Sequence, residues 1–421
     1  MGRRRMTGRL QNLVLVLLTL SALFLLTRLF LLQGGWPAQV QATLDPQSAP
    51  AGRPAEPDRL SLASVHLMVT GDSKYGRCGL LYAGGEELQQ LTGLFQEALG
   101  SASQQGGASQ QELREALAEP GVYLDFTASL PLEAVAAWLE EEPPFSCTLY
   151  AMALTTGSGD TAGLYLLDGE GDILRCRTAL PASAVRTLCQ GASPNNSRFL
   201  WEAGGAYGEL DPYTILISQA PSLGDVTAEL PGGYSAYNLL TTLAFNAYTT
   251  SRYTETSSGV EVVEESPRSL RIGPEGTVGY TGGPSAASAL YRVGGEDLAS
   301  AMRGACRLAE ALAAGVGASQ LYLCGAEAAE GGWLLRFRYQ VEGVPVRFSD
   351  EGDALAVTVQ GGVITAFTYR CRSYVPVEEA PQPLLPPAMA AAIAAGSQAK
   401  RLSIGYVDAG AGRLRAQWLG D

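Results

Sequence analysis

Histidine and lysine are almost missing from this chain: His66 is the single histidine, and Lys74 and Lys400 are the only lysines among 421 residues. That scarcity excludes much chemistry. One imidazole cannot build a His₂ or His₃ metal site. A Ser-His-Asp arrangement would need a serine at His66, and no Gly-x-Ser-x-Gly elbow stands between a strand and a helix. Ser73-Lys74 lies on a polar turn that cannot aim both groups at one point, and Lys400 reads as closing a helix, where a cation suits the dipole. The seven cysteines are scattered singly, without C-x-x-C spacing. They read as small buried hydrophobes, with a disulfide or two as the alternative.

Other absences extend the list. The tracts at Gly84-Gly85, Gly204-Gly205, Gly232-Gly233 and Gly294-Gly295 lack the context of a dinucleotide fingerprint and lack a Walker lysine, so they read as turns. A net charge of −13, with no basic stripe after residue 33, argues against a phosphate backbone as partner. The densest carboxylates, Glu140-Glu141-Glu142 and Glu264-Glu265, read as solvated faces. Asn195-Asn196-Ser197 forms a glycosylation sequon. No catalytic constellation, cofactor or metal is expected, and the chain does not read as an enzyme.

What is present begins at the N-terminus. Arg3, Arg4, Arg5 and Arg9 precede an apolar run from Leu13 to Leu32, broken only by Thr19, Ser21, Thr27 and Arg28. Such a run is long enough as a helix to cross ~30 Å of hydrocarbon, with Leu13, Leu17, Leu20, Phe24 and Leu32 among its anchoring side chains. The arginines place residues 1–12 in the cytoplasm and the bulk of the chain outside. A cleaved signal peptide is the competing reading, but its small-x-small site, Val40-Gln41-Ala42, lies well beyond the apolar run. A single-pass protein of the cell membrane is expected. Residues 33–60 carry Pro46, Pro50, Pro54 and Pro57 without apolar periodicity, which predicts an extended spacer.

Two folded regions are expected after it. Residues 61–231 alternate strands and helices: strands at 61–70, 122–126, 148–154, 163–167, 173–177 and 214–218, helices at 86–99, 111–118, 132–141 and 181–189, and a polar loop at 101–110. Residues 232–421 pair a helix with short strands separated by Gly-bearing turns. Helices are predicted at 238–245, 297–314 and 387–395, and strands at 253–256, 260–264, 269–272, 278–280, 320–324, 333–341, 344–348, 354–360, 363–369, 402–407 and 413–418. The pattern predicts an α+β fold, with antiparallel sheets and helices packed on one face.

Two stretches carry a resemblance. One runs Phe245-Asn246-Ala247-Tyr248-Thr249-Thr250-Ser251-Arg252-Tyr253-Thr254-Glu255, then Glu261–Glu265, Leu270-Arg271-Ile272 and Glu275–Tyr280. The other is Arg336–Val346 with its Gly343-Val344-Pro345-Val346 turn, followed by Ala356–Ile364 and Trp418. Together they resemble the YycH/YycI regulatory family, also called WalH/WalI, and the second reads like a PepSY-like module. The resemblance covers residues 235–421 and the anchor topology. It implies a membrane-anchored extracytoplasmic regulator of Gram-positive bacteria, contacting the sensor histidine kinase of a two-component system in cell-wall homeostasis. A second YycH/YycI-type protein is a further implied partner. Tyr234, Tyr237, Tyr248 and Tyr253 are candidate interface anchors. The alternatives are an anchored cell-wall hydrolase or protease, and a PepSY-like inhibitor or chaperone of a secreted protease.

Overall fold

The computed structural model describes residues 65–421, apart from 72–75, 84, 158, 170, 206, 220, 247–248, 284–288, 411 and 421. The expected anchor and its arginines, the spacer, Ser73-Lys74 and Tyr248 lie outside the described residues. Among those described, no helix is long and apolar enough to cross a membrane. They belong to one compact unit, Asp58–Asp421.

In chain order the first part holds β1 (Val65–Thr70), β2 (Arg77–Ala83), α1 (Gly85–Gly100), β3 (Ser103–Gly107), α2 (Gln110–Ala118), β4 (Gly121–Pro131), α3 (Leu132–Trp138), β5 (Thr148–Thr155), β6 (Thr161–Leu167), β7 (Ile173–Pro181), α4 (Ala182–Gly191), β8 (Arg198–Phe199), β9 (Ile215–Leu216), β10 (Ser222–Leu223) and β11 (Val226–Glu229). The second part opens with α5 (Ala236–Thr242), then β12 (Ser251–Thr254), β13 (Glu261–Glu265), β14 (Arg268–Ile272), β15 (Thr277–Thr281) and α6 (Leu298–Val316). It continues through β16 (Leu321–Ala329), β17 (Gly332–Val341), β18 (Val344–Phe348), β19 (Leu355–Gln360), β20 (Val363–Arg370), β21 (Ser373–Pro376), β22 (Gln382–Pro383), α7 (Pro387–Gly396), β23 (Leu402–Asp408), β24 (Gly412–Leu414) and β25 (Gln417–Gly420). The α+β class is as expected from the sequence.

Seven strands form the first sheet, in the order β2-β1-β4-β5-β6-β7-β3. All of its pairs are antiparallel. Two features depart from expectation. The polar stretch expected to be a loop contains β3, an exposed edge strand on β7; its Ser, Gln and Gly residues complete a ladder at a solvated edge, which needs no apolar pattern. Helices also stand on both faces of this sheet. α1, α3 and α4 bury Leu91, Phe95, Val135 and Val185 on one side, while α2 buries Leu113 and Leu117 with Met68, Tyr123 and Tyr165 on the other. That second face carries large apolar side chains and has to be covered. α2 is held by a reciprocal cap, in which Ser109 Oγ accepts from the Glu112 N–H and Glu112 accepts from the Ser109 N–H.

The larger sheet runs β12-β13-β14-β15-β20-β19-β17-β18-β23-β25, with β16 paired to β17. One face is covered by α6, whose Ala301, Met302, Ala305, Leu308, Ala309 and Leu312 are buried at helical spacing. Asp297 caps its start by accepting from the Ser300 N–H at 2.8 Å, and Gly317 ends it at φ 72°, a conformation glycine adopts without penalty. α3 packs on α6 and β4 on β16, so a single core runs continuously from Val65 to Ala416 across residue 231. β23 lies parallel to β18, with Val346 opposite Tyr406. That register carries the preceding residues, Lys400 and Arg401, over the first sheet, where Tyr82 accepts from the Ile404 N–H at 2.8 Å.

Candidate functional site

Where the C-terminal segment crosses the first sheet, charged side chains gather below the surface. His66 on β1 and Asp125 on β4 stand directly opposite each other in the ladder. Both are buried, and His66 Nδ1 lies 3.9 Å from Asp125 Oδ2. Arg401 reaches in from above. Its Nη2 donates to Asp125 Oδ1 at 2.6 Å, and its guanidinium sits 4.4 Å from the centre of the Tyr150 ring. Asp211 arrives on a turn: its Oδ1 accepts from the Tyr213 N–H at 2.9 Å, and its own N–H donates to the Lys400 carbonyl at 2.7 Å.

Backbone conformation marks the same place. Thr127, two residues beyond Asp125, has φ 55°, which is rare for a β-branched residue, and its N–H donates to Asp125 Oδ1 at 2.8 Å. The β4–β5 register shifts between Asp125 and Leu130. Tyr82, whose ring stands edge-on to His66 at 4.7 Å, has φ 56°. Conformations of this kind persist where the surrounding structure over-determines the backbone.

The electrostatics follow from burial. Asp211 is pushed up to about 6, because burial penalises its charged form more than the Tyr213 N–H and Arg401 favour it. His66 is lowered by burial, which outweighs the pull of Asp125. Burial also works against the charge on Arg401, but Asp125 and Asp211 overcome it and raise its pKa, so it stays a cation. Burial raises Tyr150.

A cleft of about 370 Å³ opens beside this cluster, and its walls include Tyr150, Asp168, Glu209, Asp211, Lys400 and Arg401. A recess of about 10 Å³ adjoins it, sharing Asp211 and Arg401 and lined further by His66, Asp125, Thr127 and Ser403. His66 is enclosed in the recess wall, with 5% of its surface accessible. The arrangement is suited to holding a ligand. On the cleft wall, Asp211, pushed up to about 6, is placed to exchange a proton near neutral pH.

Sequence reasoning missed most of this site. His66 and Lys400 were singled out only to be set aside, and of the others Asp125 alone carried a legible signal, a carboxylate inside the apolar run Val122-Tyr123-Leu124-Asp125-Phe126. Lys400 does not close a helix as expected. α7 ends at Gly396, and Lys400 stands four residues beyond it on the cleft wall, because the chain turns toward the first sheet. Of the tyrosines singled out, Tyr237 and Tyr253 are 75% and 50% exposed, while Tyr234 is half-buried and donates to the Gly273 carbonyl at 2.6 Å. In the sequon, the Asn195 amide pairs with both backbone groups of Gly79, donating at 2.7 Å and accepting at 3.0 Å, so it serves as a strand partner. All seven cysteines are free thiols.

A second surface stands apart from the cleft. α7, Pro387–Gly396, has no polar side chain, yet Met389 and Ile393 are 55% and 62% exposed. Ile393 lines a groove of about 390 Å³ together with Leu385, Leu402 and Trp418.

Comparison with protein-family models finds no match, and comparison with curated proteins finds none. Among solved structures, the chain is similar to an uncharacterized protein from Eubacterium rectale at 11% identity and a TM-score of 0.29, over 48% of this chain and 77% of the other.

Proposed function

We propose that this chain is a membrane-anchored extracytoplasmic regulator that modulates a sensor histidine kinase by direct contact. The observation that carries the reading is where the two family-like stretches fall. Residues 245–280 supply most of β12 to β15 and residues 336–364 supply parts of β17 to β20 in the same sheet, and β15 pairs with the part of β20 just beyond the second stretch, Tyr280 opposite Phe367. The stretches are separated in sequence but fall in one sheet, joined through Ala366–Arg370 of β20, as parts of a single inherited unit would. An exposed apolar helix face of the kind α7 offers is how a soluble domain engages a protein partner. A preference of 1–3 kcal/mol for one kinase state would shift output about 5–150-fold.

A photo-crosslinking residue at Met389 or Tyr237, in membranes of the native host, tests this. Capture of a histidine kinase, together with altered kinase output when the chain is deleted, supports the proposal. Capture of a secreted protease or of cell-wall enzymes instead, with kinase output unchanged, refutes it.

A further inference from the structure

We propose that the cleft between the first sheet and the Lys400–Ser403 segment binds a ligand bearing a primary ammonium group, seated against Asp211 at the mouth of the recess. Charge is the first argument. The cleft presents Asp168, Asp172, Glu209 and Asp211 against Lys400 and Arg401, an excess of carboxylate. Arg401 is already committed to Asp125 at 2.6 Å, so it offers Asp211 only part of a partner. A half-buried carboxylate without a full counter-charge is costly, and a ligand cation would supply the balance.

The second argument is independent of the acidic cluster. His66 Nε2 is fully enclosed and has no hydrogen-bond partner, although a buried polar atom almost always has one. Asp125 lies on the Nδ1 side of the ring, 3.9 Å away, and favours the tautomer with its proton there. Nε2 is then a lone-pair acceptor, on a residue that lines the recess. Close by, Tyr123 Oη is buried and equally unpartnered. A recess of about 10 Å³ takes one water-sized group, and an –NH₃⁺ head is of that size and brings three donors. The remaining cleft, about 370 Å³, has room for an aliphatic stem against Tyr150 and Tyr213.

This inference stands apart from kinase contact and is measured without a kinase. The full chain, purified in detergent micelles, is titrated calorimetrically with 1,5-diaminopentane and, separately, with 1,5-pentanediol at equal ionic strength. The diamine is expected to bind and the diol not. Asp211→Asn should weaken diamine binding at least tenfold, Glu209→Gln should weaken it two- to fivefold, and Lys400→Ala should tighten it by removing a like charge. Glu264→Gln, an exposed carboxylate on β13, should leave it unchanged. If Asp211→Asn loses its cooperative melt, the opposite signs at Glu209 and Lys400 carry the test. Equal heats for diamine and diol, which would mean that the recess holds only water, overturn the proposal. Wild-type affinity in a folded Asp211→Asn does so too.

Discussion

β4 and β15 show how differently the two large sheets are buried. Residues Gly121–Phe126 of β4 are buried without interruption, with α3 and α4 above and α2 below. β15, Thr277–Thr281, alternates, burying Val278 and Tyr280 and exposing Thr277 and Thr281. A sheet covered on both faces asks for a near-continuous apolar run, and one covered on a single face asks for alternation. A polar residue is therefore ordinary in the second sheet. In the first sheet it requires an explanation, and Asp125 has one in Arg401.

The sharpest way to break the comparison is a truncation in each sheet. Phe126 is fully buried and stands edge-on to Trp138 at 6.1 Å. Phe126→Ala should cost about 3–5 kcal/mol, and Thr281→Ala on the exposed face of β15 within about 0.5 kcal/mol. Chemical denaturation followed by tryptophan fluorescence reads both. Comparable losses at the two positions would mean that the second sheet has a covered outer face.

Next in size is the ion pair. With side-chain exposures of 12% for Asp125 and 26% for Arg401, the pair is enclosed but not dry. Asp125→Asn strands a partly buried cation and should cost about 2–3 kcal/mol, the lower end of what breaking a buried pair costs. Adding Arg401→Met should restore more than half of the loss. A double variant as unstable as the sum of the singles would show that the two groups do not act as a pair.

Legibility in the sequence followed the same divide. Helix α6 was plain because Leu298, Ala301, Met302, Ala305 and Leu308 fall at helical spacing behind a capping Asp297, all of it local information. The hairpins from β12 to β15 were plain for the same reason, alternation punctuated by Gly259 and Gly276. β2 and β3 were not, since neither carries a strong apolar pattern and both are edge strands completed by distant partners. The cleft was hidden for a related reason. Asp125 and Arg401 meet across 276 residues, and no local pattern encodes that meeting. The pairing of β15 with β20, which joins the two family-like stretches into one sheet, is non-local in the same way.

Asp211 gives a pH test of intermediate size. Its folded value, about 6, lies above the usual ~3.9 of an unfolded aspartate, so its stabilisation is complete below about pH 4 and is lost as pH rises through 6. His66 has the opposite sign. Its folded value is lowered, so its contribution is complete above about pH 6.5 and is lost as pH falls. Asp211→Asn should make the protein more stable at pH 8, by about 1–3 kcal/mol, and remove the fall in stability as pH rises between about 4 and 6. The same substitution is expected to weaken amine binding at least tenfold. A change that stabilises the fold and removes a ligand is how a strained binding group behaves. An unchanged pH profile would instead mean that Asp211 is solvated.

The smallest expected effect on stability lies on α7, where the second sheet meets solvent. Ile393 is 62% exposed and Met389 55%, so little of either side chain is taken from water by folding. Their replacement by serine should change unfolding free energy by no more than about 0.5 kcal/mol for each. Ala390, Ala391 and Ala394, on the inner face of the same helix, are buried, and Ala391→Ser should cost more because its hydroxyl enters an apolar cluster with Leu200, Leu210 and Leu402. If the outer face serves a partner, the rank order reverses in membranes: Met389→Ser with Ile393→Ser should cut kinase capture at least fivefold, while Ala391→Ser leaves capture in proportion to folded protein. Capture that merely tracks stability across the three substitutions would make the apolar face of α7 incidental and move the contact elsewhere, with the exposed Tyr237 and Tyr253 as the next positions to change.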